Sequence, residues 1–234
     1  MKSIAGIYTS LSVAAAALVV IIIIFFGHDG EKLSFAERLA FGAVFTSSCV
    51  LGASLTARPG WLRRLGHGGA PAKSDRAAPG RKIAGHHPAC GQFLSHTVKI
   101  AGKTYCSGCV GLAIGSAGTA VAAVVTVIMS DVVQVYAYFI FAGIGLSLVA
   151  LALAEVKMDG RNKAMHMTLS ALLPAGFFLV SYAMLVLTGN IFIGFAGIIL
   201  SALWMDTRVQ LSIYRHDGIC GKCENKCTQD SFQA

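Results

Sequence analysis

Long apolar runs separated by short polar stretches dominate the pattern of this chain. A helix needs about 20 predominantly apolar residues to cross the hydrocarbon core of a bilayer, and we interpret six runs as such helices. The predicted spans are residues 4–27, 36–56, 109–130, 133–156, 167–187 and 191–205. The first run is too long for a signal peptide and no A-x-A cleavage site follows it, so we expect a retained anchor. The pattern predicts an all-α integral membrane protein with six transmembrane helices.

The polar stretches divide the chain into five parts. Residues 1–57 hold the first two spans, and residues 58–85 form a basic stretch rich in Gly, Pro and Ala, a composition typical of a flexible linker. Residues 86–109 form a small hairpin rich in Cys and His. Residues 109–210 hold the last four spans, and residues 211–234 form a cysteine-rich tail.

Lysine and arginine fall mainly on one set of connections. They crowd the loop between spans two and three, the link between spans four and five, and the tail, whereas the opposite loops contain few. The positive-inside rule therefore predicts a multi-pass protein of the cell membrane with both termini, the hairpin and the tail in the cytoplasm. Six spans agree with this, since an even number returns the chain to its starting side.

The composition agrees with a membrane protein and limits the classes of partner that we expect. The 234 residues are 55% hydrophobic and 13% charged, whereas soluble domains carry about 25% charged residues. The net charge of +8 suits loops that fix topology and contact anionic headgroups. We therefore expect the lipid bilayer as the main partner, other membrane subunits as further partners, and no nucleic acid, because no nucleic-acid motif is present.

Cysteine and histidine concentrate just before the third span. Val98 and Ile100 alternate with a lysine before an Ala-Gly pair, which predicts two short strands joined by a turn at Gly102. The second strand would deliver Cys106 and Cys109, a C-x-x-C spacing that lets two thiolates bind one tetrahedral zinc ion. Cys90 and one of three histidines would complete the site. The candidate histidines are His86, His87 and His96.

The stretch "GKTYCSGCVGLAIG" resembles the motif of an uncharacterised family of small prokaryotic membrane proteins. In that family a His/Pro segment precedes a glycine and then C-x-x-C-x-G-x-x-x-G at the mouth of a helix. The matching positions are His87, Pro88, Gly102, Cys106, Cys109, Gly111 and Gly115, within about residues 86–120. The family usually carries an arginine between the cysteines, where this chain has Ser107 and Gly108. The resemblance implies a membrane topology and no activity.

A second cluster lies in the tail. His216 is followed by Cys220, Cys223 and Cys227, a compact set of four zinc ligands. Because cytoplasmic thiols are usually kept reduced, metal binding or redox chemistry is favoured over structural disulfides. An iron–sulfur cluster is the alternative cofactor and would need a fourth thiol. We favour two local sites, and one site shared by both clusters stays open.

The spans themselves suggest packing rather than chemistry. Cys49 is interpreted as a small buried hydrophobe, and glycines in spans three and four indicate close helix contact. These glycines are Gly111, Gly115, Gly118, Gly143 and Gly145. Ionisable residues are expected only at span ends, as for His166 and Arg208, which argues against an ion-coupled transporter.

No enzyme motif is found, so an enzymatic activity stays undecided and is not favoured. The sequence favours a membrane protein whose cytoplasmic Cys/His sites bind zinc, as a structural element, a sensor or an accessory subunit of a membrane complex. The alternative is a membrane redox or electron-transfer protein that uses iron–sulfur or dithiol chemistry.

Overall fold

Six helices and one small sheet make up the part of the chain that the computed structural model describes, residues 2–27, 33–57, 83–84, 97–129, 135–158 and 162–220. The helices are α1 Lys2–Phe26, α2 Phe35–Ala57, α3 Ser107–Met129, α4 Val135–Lys157, α5 Lys163–Thr188 and α6 Ile191–Cys220. All six are long and apolar enough to span a membrane. The predicted all-α membrane fold is therefore confirmed.

Helix boundaries follow recognisable local signals. The Ser34 hydroxyl and the Glu37 carboxylate cap the start of α2 reciprocally, with Ser34 N donating to Glu37 Oε2 at 2.9 Å and Glu37 N donating to Ser34 Oγ at 3.3 Å. At the start of α5, Asn162 Oδ1 accepts a hydrogen bond from Met165 N at 2.7 Å. Gly189 ends α5 with a φ of 61°, a left-handed conformation that glycine adopts readily.

The sixth helix is longer than its apolar run. The prediction ended this span at Met205, but α6 continues to Cys220. Buried positions recur at helical spacing beyond the predicted end, at Thr207, Arg208 and Leu211. The first ten residues of the predicted tail, residues 211–220, are therefore a continuation of α6.

Helix α5 lies at the centre of the bundle and packs against α3, α4, α6 and α1. Of its most apolar window, 67% is buried, compared with 22% for α1. Aromatic side chains fill the interior near the end of α5, where Tyr182 stacks on Phe178 with ring centroids 5.3 Å apart and meets Tyr138 at 5.8 Å. Cys49 is 8% exposed in this core, in agreement with its interpretation as a packing residue.

Glycines let the backbones of neighbouring helices approach closely. A Cβ on Gly111 would overlap the Met167 carbonyl oxygen, and one on Gly115 would overlap the backbone of Ala171, so both glycines of α3 face α5. A Cβ on Gly145 of α4 would lie 2.8 Å from the Gly176 carbonyl oxygen of α5. The predicted close contacts are present at these positions. Gly118 and Gly143, by contrast, have no atom within 4 Å of the place where a Cβ would stand.

A three-stranded sheet precedes α3, in the order β1–β3–β2. Strands β2 Thr97–Ile100 and β3 Lys103–Cys106 pair antiparallel around a turn at Ala101 and Gly102, whose φ values are 47° and 75°. This confirms the predicted hairpin. Strand β1 Ile83–Ala84 adds in parallel to β3, inside the stretch assigned to the linker.

The hairpin of β2 and β3 lies at one end of the helix bundle, next to the start of α3. Because the helices alternate in direction, the starts of α1, α3 and α5 and the ends of α2, α4 and α6 lie there, and we refer to it as the hairpin end. Contacts between α1 and α6 agree, since the Ser12 hydroxyl donates to Thr207 Oγ1 at 2.7 Å and the Trp204 indole N–H donates to the Ser12 carbonyl oxygen at 3.1 Å.

Candidate functional site

Four polar side chains from three helices meet inside the bundle at its hairpin end. Glu155 of α4 is fully buried, and His166, Ser170 and Arg208 are all less than 10% exposed. We refer to these four residues as the buried polar cluster. Burying an ionisable group is costly unless opposite charges and hydrogen bonds compensate it. The charged side chains of the cluster must therefore compensate one another.

The Glu155 carboxylate joins the three helices. Its Oε1 and Oε2 lie 3.0 and 3.2 Å from His166 Nδ1, which fixes the imidazole with Nδ1 towards the carboxylate. Arg208 Nη2 donates to Glu155 Oε2 at 3.5 Å and to Ser170 Oγ at 2.7 Å. The Ser170 hydroxyl in turn donates to the His166 carbonyl oxygen at 2.5 Å. One carboxylate therefore compensates a buried guanidinium and orients a buried imidazole.

A second arginine of α6 stabilises the end of α4. Arg215 Nη1 donates to the carbonyl oxygen of Val156 at 2.7 Å and also bonds to the carbonyl oxygen of Met158. The last carbonyl groups of a helix have no partner within the helix and attract a positive charge. Two arginines of α6 therefore bind the end of α4, Arg208 through the Glu155 side chain and Arg215 through backbone carbonyl groups.

The imidazole of His166 also contacts α3. A Cβ added to Gly108 would overlap His166 Nε2, so the ring edge rests directly on this glycine. Gly108 lies between Cys106 and Cys109 in the first turn of α3. His166 therefore links the Glu155 carboxylate on one side to the C-x-x-C segment on the other.

The two cysteines of this segment lie at the junction of a strand and a helix. Cys106 is the last residue of β3 and is fully buried, whereas Cys109 is partly buried in the first turn of α3. Cys106 directly precedes α3 and Cys109 is the third residue of α3, so only two residues separate the two cysteines in the chain. The first-turn N–H groups also favour negative charge, including a thiolate. The junction is therefore suited to present two thiolates to one ligand.

The other predicted metal ligands are only partly described. His86, His87, Cys90, His96, Cys223 and Cys227 lie outside the described residues. Cys220 is the last residue of α6, and His216 is buried on the same helix, 1% exposed. Within the described ranges no group of three or more His, Cys, Asp or Glu side chains is arranged to hold a metal ion. A complete site at Cys106 and Cys109 would need ligands from elsewhere in the chain.

The buried polar cluster is the feature that the sequence analysis missed. In the sequence analysis, His166 and Arg208 were assigned to separate span ends and Glu155 was not singled out. His166 lies near the start of α5, as expected, but the convergence of His166, Glu155 and Arg208 inside the bundle was not predicted. One sequence feature could have indicated this cluster, namely the acidic Glu155 within the otherwise apolar stretch "LVALALAEV".

Comparison with known proteins adds no further evidence. No family model, no curated protein and no solved structure matches this chain. The resemblance to an uncharacterised membrane family therefore stays a prediction.

Proposed function

We propose that this multi-pass membrane protein binds zinc through Cys/His sites at the hairpin end of the bundle. The metal would hold the connecting segments in place, or report metal or redox state, within a larger membrane complex. The observation that carries the proposal is the position of Cys106 and Cys109 at the junction of β3 and α3.

Burial favours a structural role for these thiols. Cys106 has no exposed surface, which suits a ligand that is enclosed with its ion and hinders thiol exchange with an external partner. Structural zinc sites are closed and four-coordinate, with Zn–S distances of about 2.3 Å. The remaining ligands would come from Cys90 and one of His86, His87 and His96.

A second zinc site is proposed for His216, Cys220, Cys223 and Cys227. The extension of α6 supports this arrangement in part, because it carries His216 and Cys220 on one helix, four residues apart in the chain. It also brings the end of α6 to the same end of the bundle as Cys106, so a shared site stays an alternative.

Metal content of cysteine variants tests the proposal. Cys106→Ser is expected to release zinc, because a serine hydroxyl is a poor substitute for a thiolate. With two local sites, zinc per chain should fall by about one half, and Cys220→Ser should remove the other half. With a shared site, each substitution should remove the same ion and the double variant should lose no more. Mass spectrometry of purified protein measures the stoichiometry.

Cys49→Ser is the matched control, because Cys49 lies in the apolar core of the bundle. This variant should retain all the zinc of the wild-type protein. Wild-type protein that carries no metal after purification without chelators under reducing conditions would contradict the proposal.

Redox chemistry is the second candidate function. The partial exposure of Cys109 at a helix start favours it, because helix N-termini stabilise the reactive thiolate. Absorption near about 400 nm in the purified protein would indicate an iron–sulfur cluster. Colourless protein without metal would leave dithiol chemistry.

The orientation in the membrane is proposed from charge. In the described part of the chain, exposed lysines gather at the hairpin end, namely Lys99, Lys103, Lys157 and Lys163. By the positive-inside rule this end faces the cytoplasm. A fusion of alkaline phosphatase to the C-terminus is therefore expected to be inactive, and a fusion in the loop between α1 and α2 active. The opposite result would move both cysteine clusters into an oxidising compartment, where disulfides replace metal binding.

A further inference from the structure

The imidazole of His166 contacts Glu155 through one ring nitrogen and Gly108 of α3 through the other. Glu155 binds Nδ1 at 3.0 Å, and the ring edge at Nε2 rests on Gly108 so closely that no side chain fits between them. Arg208 donates hydrogen bonds to both Glu155 and Ser170. The Ser170 hydroxyl in turn donates to the His166 backbone carbonyl oxygen, so both ends of this network return to His166.

We propose that His166 is a positioning residue for the Cys106–Cys109 segment, with Glu155 as the group that orients it. The imidazole holds the first turn of α3 at a fixed distance from α5. It thereby keeps Cys106 buried and keeps the thiols of Cys106 and Cys109 positioned to bind one ligand. The part of this inference that concerns metal affinity rests on the proposed zinc-binding function, whereas the part that concerns the two thiols does not.

Glycine contacts further along α3 support this assignment. Gly111 and Gly115 already bring α3 against the backbone of α5, and at Gly108 the neighbour changes from backbone to the His166 ring. Of these three glycines, Gly108 is the one inside the C-x-x-C segment, and its neighbour in α5 is the His166 ring. Outer-shell groups that orient a metal site typically change its affinity by about 10–100-fold when they are replaced.

Two amide substitutions separate positioning of α3 from pairing with Glu155. The amide of His166→Gln reaches about as far as Nε2, whereas the amide of His166→Asn reaches only as far as Nδ1. If contact with Gly108 matters, the Gln variant should behave like the wild-type protein and the Asn variant should not. If the hydrogen bond with Glu155 is the whole role of His166, the Asn variant should be the better replacement.

The first readout is the rate at which each thiol of the full-length protein in detergent reacts with N-ethylmaleimide, resolved by peptide mass spectrometry. Cys106 is expected to react at least about tenfold faster in His166→Asn and in Gly108→Ala, which disturb the same contact from opposite sides. Cys49 is the internal reference and should not change. Leu187→Ala, which opens a cavity at the other end of α5, controls for general loosening.

An unchanged Cys106 rate in both His166→Asn and Gly108→Ala would overturn the inference. Equal acceleration of Cys106 and Cys49, or the same acceleration in Leu187→Ala, would also overturn it, because the effect would then be global. Gly108→Ala decides the question if the His166 variants do not fold.

The second readout is metal binding, measured by competition with a chromophoric chelator for Zn²⁺ and by the absorption spectrum with Co²⁺. His166→Asn should weaken Zn²⁺ binding by about 10–100-fold while the Co²⁺ thiolate bands and the tetrahedral spectrum persist. Unchanged affinity would overturn the positioning role. A Co²⁺ spectrum that reports loss of a nitrogen ligand would overturn it too, since His166 would then bind the metal itself. Wild-type protein that binds neither ion would refute the zinc proposal alone, and the thiol rates would still decide the role of His166.

Discussion

Replacement of Glu155 by leucine is expected to be one of the most destabilising single substitutions in this protein. The carboxylate is fully buried and compensates Arg208 while it orients His166. Removing one partner of a buried ion pair costs about 3–5 kcal/mol, because the other charge stays buried without compensation. Total stabilities of about 5–15 kcal/mol are typical, so the variant should lose a large share of its free energy of unfolding. Thermal unfolding in detergent, followed by circular dichroism, measures the loss.

A double substitution separates the loss of the pair from the loss of one partner. Glu155→Leu combined with Arg208→Leu removes both charges, and buried ion pairs replaced by apolar residues are often neutral in stability. The double variant should therefore be more stable than Glu155→Leu alone, and His166 without its carboxylate should keep the recovery incomplete. The surface control is Glu37→Leu, which removes the exposed carboxylate that bonds to Ser34 at the start of α2 and should cost much less than Glu155→Leu. A Glu155→Leu variant no less stable than this control would contradict the importance of the cluster.

Adding one methyl group to Gly115 is expected to have the second large effect. A Cβ at this position would overlap the carbonyl and Cα atoms of Ala171, and a neighbouring helix backbone cannot move aside as a side chain can. Overpacking of a well-packed contact costs about 1–3 kcal/mol and sometimes more. Gly115→Ala should lie at or above the upper limit, because α3 has to separate from α5 along the length of their contact.

Gly118→Ala on the same helix provides a matched control. The place of its Cβ is open, with no atom within 4 Å. Alanine is a better helix former than glycine by about 1 kcal/mol, so this variant should be as stable as the wild-type protein or more stable. Thermal unfolding of both variants in the same detergent compares them. Equal stability of the two would show that α3 and α5 are not in the close contact described above.

The architecture of this protein is largely predictable from its sequence, for physical reasons. A lipid environment requires each span to satisfy its own backbone hydrogen bonds, so long apolar runs such as "ALVVIIIIFF" lead to helices almost regardless of detail. The hairpin follows from an equally local signal, because Val98 and Ile100 alternate with a lysine and Gly102 takes the positive φ of the turn. Strand β1 was not predicted, since two residues are too short to show any period.

The end of α6 was predicted too early because two properties diverge there. Average hydrophobicity falls at Asp206 and Arg208, but the helical period of buried positions continues through Leu211. A span boundary judged by hydrophobicity alone therefore marks the edge of the apolar run and not the end of the helix. The amphipathic half of α6 is also the half that carries Arg208, Arg215 and His216.

The buried polar cluster could not be predicted from one sequence because its members are far apart in the chain. His166 follows Glu155 by 11 positions and Arg208 follows it by 53. Each residue alone has an ordinary interpretation as a charge near a membrane surface. Their convergence depends on how α4, α5 and α6 pack, and a close contact such as that of Gly145 of α4 with α5 carries no information about charge.

The spacing of Glu155 and Arg208 along the chain also has a consequence for biosynthesis. Ribosomes add about 5–20 residues per second, so Glu155 emerges about 3–10 seconds before Arg208. During that interval α4 is available for insertion with an acidic group near its end, and only His166 arrives soon enough to pair with it. A nascent chain that stops before α6 therefore carries a carboxylate without the guanidinium that compensates it in the finished bundle.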